Sequence, residues 1–152
     1  MCPITAQVVS EWFDLAIYTA ALQPYANAVV EHLDAGRGLF PIGRRFFRDD
    51  CSFVFNGSGG SGGGYRKDVR LVMPDLCSVA IIDNSPSAYK DYAANGIPIK
   101  SWTSDPQDTE LLQLLPFLDA LRFVADVRSI LGAKNWHEKS TSPKFYVPNG
   151  DC

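Results

Sequence analysis

Four polar side chains in this chain could do chemistry together: the hydroxyl of Thr19, the ammonium of Lys67, and the carboxylate and amide of Asp83 and Asn84. A hydroxyl and an ammonium can orient a phosphate group and offset its charge, while carboxylate and amide oxygens hold hard cations such as Mg²⁺. Together these are the groups of a magnesium-assisted phosphoryl-transfer site. Each also has a simpler explanation. Thr19 could merely end a strand, Lys67 could be a solvated lysine, and the Asp-Asn pair could start a turn.

Two short apolar runs are expected to position these side chains. Residues 79–82 form an apolar run that stops at Asp83 and Asn84, and Ser-Pro follows. Such a run is too short to cross a membrane and is typical of a strand buried on both faces of a parallel sheet. Residues 15–18 form a second buried strand that ends on Thr19. Because ligands of open α/β sheets lie beyond the carboxyl ends of the strands, both strand ends are candidate binding positions.

The rest of the chain alternates between helical and extended patterns, which implies an α/β fold. In chain order we predict the end of an amphipathic helix at 8–13, a helix at 24–33, β segments at 46–47 and 52–55, a polar helix-like stretch at 65–73, a strand at 97–99 with Trp102 packed behind it, and a long helix from a cap at Asp108 to Gly132. Pro116 restarts that helix, and its apolar face comprises Leu118, Leu121, Phe123, Val127 and Leu131. Residues 133–152 lose the periodicity and are predicted to be a loose tail.

A glycine-rich tract at residues 56–64 contains a formal G-x-G-x-x-G match at Gly57, Gly59 and Gly62. That motif binds dinucleotides when it joins a buried strand to a helix N-terminus, and no apolar helix follows it here. Its Gly/Ser composition is typical of a flexible connector. We therefore interpret the tract as a loop inserted between β segments.

Composition sets broad limits on function. The chain has 152 residues, 46% hydrophobic and 20% charged, as expected for one soluble domain. Its net charge of -3 offers no basic surface for nucleic acid, and no apolar run approaches the roughly 20 residues of a membrane span. The N-terminus lacks the pattern of a signal peptide. The four cysteines form no Cys-x-x-Cys pair, so we expect no zinc site and reduced thiols in a cytoplasmic or nuclear compartment.

Four segments carry a family resemblance: residues 14–22 (DLAIYTAAL), 65–68 (YRKD), 81–86 (IIDNSP) and 97–102 (IPIKSW). They resemble the haloacid-dehalogenase phosphatases of the CTD-phosphatase (NIF-type) branch. Residues 105–131 are most similar to the Dullard-type nuclear-envelope phosphatases. The resemblance runs from about Val8 to Leu131 and is interrupted by the glycine tract.

The resemblance implies a Rossmann-like, mostly parallel sheet with flanking helices over residues 1–132, truncated at its N-terminal side. It also implies a Mg²⁺-dependent protein serine/threonine phosphatase. Thr19 matches the family's phosphate-binding hydroxyl, and Lys67 matches the lysine that bridges phosphate and nucleophile. Asn84 matches the metal ligand, and Asp83 the acidic partner that orients the lysine and the metal-bound water.

The resemblance further implies a cellular setting. Dullard-type enzymes are tied to the endoplasmic reticulum and nuclear envelope, work with a small membrane regulatory subunit, and act on lipin, a phosphatidate phosphatase. A phosphoprotein substrate and a membrane subunit are therefore the expected partners, with no role for nucleic acid.

One family motif is absent. The family attacks phosphate with the first aspartate of a D-x-D-x-[TV] motif on a strand in the centre of the sheet, and no aspartate of this sequence begins that pattern. Covalent catalysis without its nucleophile loses most of its rate. We therefore expect the chain to be a fragment of such a phosphatase, inactive as given. The alternative is a non-catalytic binding module similar to the presequence-recognising subunit of the mitochondrial import translocase.

Overall fold

Helices and strands alternate along the chain in a computed structural model, which describes residues 3–55 and 62–133. The helices are α1 (Pro3–Ser10), α2 (Gln23–Asp34), α3 (Glu110–Gln113), α4 (Leu115–Leu121) and α5 (Arg128–Leu131). The strands are β1 (Ile17–Tyr18), β2 (Arg45–Phe46), β3 (Cys51–Phe55), β4 (Gly63–Lys67), β5 (Ile81–Asp83) and β6 (Gly96–Pro98). Short 3-10 helices, including Val69–Leu71, Leu76–Ser78 and Pro86–Asn95, join several of them. The predicted α/β class is confirmed.

The described strands pair in three sets of two. β1 runs parallel to β2, and β5 runs parallel to β6. β3 and β4 form an antiparallel hairpin in which Cys51 faces Lys67 and Phe55 faces Gly63. Two of the three pairs are therefore parallel, in agreement with the expected sheet type, and the hairpin is a third, antiparallel pair.

The core has two apolar clusters, and α1 contributes to both. Ala6 packs with Val30 of α2 and with Phe40. Val9 packs in the larger cluster, which joins β6 to the C-terminal helices through Ile97, Leu114, Phe117, Leu118, Leu121, Val127 and Leu131. Because one helix contacts both clusters, α1 holds the β1–β2 and β5–β6 pairs in a common body.

The prediction of a polar helix at residues 65–73 is wrong. Residues 63–67 form strand β4, and a single 3-10 turn, Val69–Leu71, follows it. The cause is pairing with β3, which a local pattern cannot reveal because the partner lies on the far side of the glycine tract. The Asp68 carboxylate then accepts the backbone N–H of Arg70 and starts the turn.

The predicted long helix at residues 108–132 is three short helices. The first of them, α3, begins at Glu110, and its N-cap is Thr109 rather than the predicted Asp108, whose carboxylate accepts the N–H of Glu110 at 3.2 Å from one residue further out. Beyond α4 the chain leaves the helical path, because the N–H of Val127 donates to the carbonyl of Cys77 at 3.0 Å instead of to its own helix. Phe123 lies in this break and is 75% exposed, so its assignment to the apolar face is wrong.

The predictions of the two N-terminal helices are confirmed. The helix predicted at 24–33 is α2, with Pro24 in its first turn, and the helix predicted to end near 8–13 is α1, which ends at Ser10. The strand predicted at 97–99 is β6, but Trp102 is 59% exposed and is not packed behind it. Residues 56–61 of the glycine tract and 134–152 of the predicted tail lie outside the described residues. Of the helices in the described ranges, none is both long and apolar enough to cross a membrane.

Candidate functional site

Lys67 lies where strands β1 and β5 end. Its Nζ donates hydrogen bonds to the carbonyl oxygen of Tyr18 at 2.7 Å and to Oδ2 of Asp83 at 2.5 Å. Only 10% of the Lys67 side chain and 8% of the Asp83 side chain are exposed, so the ion pair is shielded from water. The structure thus brings Lys67 and Asp83 into direct contact at the carboxyl ends of two strands.

Thr19 occupies the residue directly after β1. Its backbone N–H donates to the carbonyl of Phe46 at 3.0 Å, which continues the pairing of β1 with β2. Its Oγ1 accepts the N–H of Ala21 at 3.1 Å. A hydroxyl that accepts from the backbone still has its own proton to donate, so Thr19 can offer a hydrogen bond to an anion beside Lys67.

Asp83 and Asn84 stay predicted ligands for Mg²⁺, and their contacts show which of their oxygens are already engaged. Oδ1 of Asp83 accepts the N–H of Ser85 at 2.7 Å, so both carboxylate oxygens are engaged. Asn84 is exposed and its Nδ2 donates to Oγ of Ser101 at 2.9 Å, which leaves one amide oxygen for a metal. Mg²⁺ needs about six oxygen ligands, and residues 3–55 and 62–133 contain no group of three His, Cys, Asp or Glu side chains placed to hold a metal.

Asp68 fastens the chain on one side of Lys67. Its carboxylate accepts two hydrogen bonds from the Arg70 guanidinium, at 2.8 and 3.0 Å, and one from the Tyr92 hydroxyl at 2.6 Å. The Arg70 guanidinium, with help from Tyr92, holds the pKa of the Asp68 carboxyl well below its usual range. The hydrogen bond that the Tyr92 hydroxyl donates to Asp68 raises the pKa of Tyr92. Asp68 therefore stays charged at neutral pH and ties β4 to the Pro86–Asn95 segment.

Tyr18, the last residue of β1, links β1 to the end of β4. Its hydroxyl accepts the N–H of Asp68 at 3.2 Å and donates to the carbonyl of Asp50 at 2.5 Å, while burial raises its pKa. Sequence analysis missed both Tyr18 and Tyr92, because each contacts Asp68 from a distant part of the chain. The short Asp68-x-Arg70 spacing was the one local signal of this network.

Arg48 and Cys51 also border the site and were missed by sequence analysis. Nε of Arg48 donates to the carbonyl of Ala20 at 2.7 Å, so this guanidinium supports the turn that carries Thr19. Cys51 is the cross-strand partner of Lys67. Burial raises the pKa of the Cys51 thiol, which keeps it protonated at neutral pH and argues against a role as nucleophile.

A cleft with a volume of about 960 Å³ lies between the two parallel pairs. Apolar side chains from α1, β1, β5 and β6 line it, among them Val9, Ile17, Ile81 and Ile97. Within the described residues β1 pairs only with β2, and β5 pairs only with β6. The cleft therefore runs between two strands that each have one described neighbour. Tyr18 and Asn84 also line it, so one end of the cleft reaches the site.

Comparison with known proteins agrees with the resemblance found in the sequence. The CTD nuclear envelope phosphatase 1 homolog of Caenorhabditis elegans is 51% identical over 124 residues, which is 82% of this chain and 47% of that protein. CTD nuclear envelope phosphatase 1 of Xenopus tropicalis is 50% identical over 132 residues, 87% of this chain and 50% of that protein. The chain thus spans about half the length of these relatives.

The fold has a solved counterpart. The structure of Fcp1, an RNA polymerase II CTD phosphatase, matches with a TM-score of 0.66 at 19% identity, over 85% of this chain and 52% of that one. At this identity the match shows the fold alone, and it confirms the expected Rossmann-like fold. The profile of the family described as NLI interacting factor-like phosphatase matches residues 3–128. The chain therefore belongs to the NLI interacting factor-like phosphatase family.

Proposed function

We propose that this chain carries the phosphate-orienting part of a protein serine/threonine phosphatase, and that the nucleophilic aspartate comes from a segment outside residues 1–152. One observation carries the proposal: the Lys67 ammonium is held between the Tyr18 carbonyl and Asp83, at the end of the strand that Thr19 directly follows. An ammonium and a hydroxyl at the carboxyl ends of strands suit a phosphate group. The family supports the same reaction class.

Each residue has a role in this reaction. Thr19 donates its proton to a phosphate oxygen, and Lys67 offsets the negative charge that gathers on the phosphoryl group in the transition state. Asp83 acts on Lys67, because its carboxylate accepts a hydrogen bond from the ammonium and fixes it in place. An aspartate oxygen attacks phosphorus while the bond to the seryl or threonyl oxygen breaks, and that oxygen leaves with the electron pair and takes up a proton. Water then cleaves the aspartyl-phosphate and releases inorganic phosphate.

The cleft between β1 and β5 is the place proposed for the segment that carries the aspartate. Each of these strands has one described neighbour, so a strand in the cleft would pair with both. Thr5 supports this position: it lines the cleft, and its buried hydroxyl has no hydrogen-bond partner among the described residues. Buried polar groups are normally hydrogen-bonded, so a backbone group that enters the cleft would supply the partner that the Thr5 hydroxyl lacks. A parallel strand ending there would place its last residues beside Thr19 and Lys67.

Magnesium belongs to the completed protein in this proposal. Asn84 offers one amide oxygen, and the further carboxylate oxygens that Mg²⁺ prefers must come from the same missing segment. Cofactor binding is therefore expected only when that segment is present.

The relatives guide the proposed setting. Their names place them at the nuclear envelope, and we propose the same location for this protein, with a phosphoprotein as substrate. A lipin-like substrate and a small membrane regulatory subunit remain predictions from the family resemblance. The alternative of a presequence-binding translocase subunit is not favoured, since the relatives described above are named as phosphatases.

The test compares the chain alone with a completed chain. A segment that carries the family's D-x-D-x-T motif is fused ahead of Pro3, so that α1 keeps its place in the core. With Mg²⁺, the chain alone is expected to leave an aryl phosphate and a phosphoserine peptide intact, whereas the fusion hydrolyses both. Lys67→Ala and Thr19→Val should each abolish turnover, and Lys90→Ala, at an exposed lysine, should not. A fusion that folds but stays inactive refutes the proposal. So does turnover by the chain alone that Lys67→Ala removes, because another nucleophile would then be at work.

A further inference from the structure

The β3–β4 hairpin presents one face that begins at Lys67 and runs outward. Side chains alternate between the two faces of a strand, so the facing pairs on this side are Cys51 with Lys67, Phe53 with Tyr65, and Phe55 with Gly63. We call Phe53, Phe55 and Tyr65 the aromatic face. The hairpin that delivers the Lys67 ammonium to the site therefore also carries aromatic rings away from it.

The rings of the aromatic face pack on one another and stay open to solvent. The centroid of the Phe53 ring lies 4.9 Å from that of Phe55 and 5.2 Å from that of Tyr65, both in edge-to-face arrangements. Phe53 is 48% exposed and Phe55 is 80% exposed. Gly63 makes room for this packing, because a Cβ there would overlap the Phe53 ring. Clustered exposed rings of this kind mark interaction surfaces.

The other face of the hairpin contacts the body of the protein. Arg66 points to that side and forms an ion pair with Asp91 of the Pro86–Asn95 segment at 3.1 Å. The ion pair joins this side of the hairpin to that segment, although the Asp91 side chain is largely exposed. Among the described residues, Phe53 and Phe55 of the aromatic face thus remain exposed, while Tyr65 is half-buried next to Arg48.

The aromatic face is continuous with the phosphate-orienting residues. The Arg48 guanidinium lies 5.3 Å from the Tyr65 ring centroid and donates to the carbonyl of Ala20, the residue after Thr19. Tyr65 precedes Lys67 by two residues, which is about 7 Å along a strand. A cationic end at Lys67 and Arg48 therefore leads directly into an apolar strip.

We propose that the aromatic face binds the polypeptide next to the phosphorylated residue of the substrate, and that it selects large apolar side chains about two and four residues away. The inference rests on the proposed phosphatase function. An extended peptide advances by the same spacing as the hairpin, so with its phosphate at Lys67 the second residue meets Phe53 and Tyr65, and the fourth meets Phe55. Phosphate at the cationic end and apolar residues along the strip match the charge and polarity of the surface.

The test measures binding of labelled peptides to the full 152-residue chain by fluorescence anisotropy. Three phosphoserine peptides are compared. The first has leucine two and four residues before the phosphoserine, and the second has leucine two and four residues after it. The third has serine at all of these positions. One leucine peptide should bind about tenfold more tightly than the serine peptide, because each large apolar side chain leaves water. Phe53→Ser and Phe55→Ser should remove that difference, whereas Val54→Ser, on the opposite face of β3, should retain it.

Unphosphorylated versions of the peptides separate this inference from the proposed function. Equal binding of all three phosphopeptides, with phosphate still required, overturns the inference and leaves the phosphate site in place. If unphosphorylated peptides show the same leucine preference and Phe55→Ser removes it, the link between the aromatic face and the phosphate site is overturned. No phosphate dependence in any peptide counts against the proposed function itself. Phosphatidylcholine vesicles provide the last arm, since vesicle binding lost in Phe55→Ser without a peptide preference would identify a membrane-contacting surface instead.

Discussion

Removing the Lys67 ammonium is expected to destabilise the fold substantially. In Lys67→Met the apolar part of the side chain is kept, so the change isolates the charge and its two hydrogen bonds to Tyr18 and Asp83. The Asp83 carboxylate is then left 8% exposed, with the N–H of Ser85 as its remaining hydrogen-bond donor. Burying an unpaired carboxylate is one of the few single changes that costs a large part of a protein's stability.

The magnitude follows from the burial of the pair. Breaking a buried ion pair by removing one partner typically costs about 3–5 kcal/mol. Domains of this size are stable by about 5–15 kcal/mol, so the variant should lose a large fraction of its free energy of unfolding. Asp83→Asn should cost a similar amount, because it leaves the ammonium buried without its charge partner. The double variant, Lys67→Met with Asp83→Asn, should cost clearly less than the sum of the two.

Urea unfolding of the full chain measures these free energies. Lys90→Met is the matched control, since Lys90 is exposed and its loss should change stability by less than about 0.5 kcal/mol. The slope of the free energy against urea should be unchanged in all variants, which shows that the folded and unfolded states remain comparable. The reasoning is refuted if Lys67→Met costs no more than Lys90→Met, or if the two single changes simply add.

Three further outcomes are expected. Gly96→Ala should destabilise by about 1–3 kcal/mol in urea unfolding, because a Cβ there would overlap the buried Tyr89 ring, whereas Gly43→Ala, with open space around it, should be nearly neutral. The Arg128 guanidinium lowers the pKa of Asp126 to about 2, so its contribution to stability is present above about pH 4 and is lost as pH falls towards 2. The difference between wild type and Asp126→Asn should therefore shrink over that range, and a constant difference would contradict it. Shortening residues 57–61 to a tighter turn should leave stability within about 0.5 kcal/mol, provided that Gly63 is kept beneath Phe53.

The strand ends of the site could be predicted because their signals are local. The apolar run before Asp83 and the run before Thr19 each stop at a polar residue, and β5 and β1 end where those runs end. Pro24 fixed the start of α2 in the same way. Residue order alone was sufficient to locate these ends, since the change from apolar to polar residues and the position of a proline are both read within a few residues.

The position of Lys67 could not be predicted in this way. Its strand exists because β3 pairs with it across the glycine tract, and its ammonium contacts Tyr18, 49 residues away in sequence. The break after α4 has a similar cause, because the carbonyl of Cys77 captures the N–H of Val127. Such contacts depend on how distant segments pack, which periodicity and helix-capping signals do not record.

The Lys67–Asp83 pair is better explained by chemistry than by stability. A buried ion pair gains little over apolar residues of the same volume, since the loss of hydration offsets most of the attraction. A fold that used its cleft only to bind an apolar segment would gain nothing from an ammonium at the cleft's end. The pair is instead surrounded by positioning contacts: Asp68 with Arg70 and Tyr92 on one side, and Tyr18 on the other. In the proposed function, such contacts hold the ammonium in one place before a phosphate arrives, as preorganised stabilisation of a transition state requires.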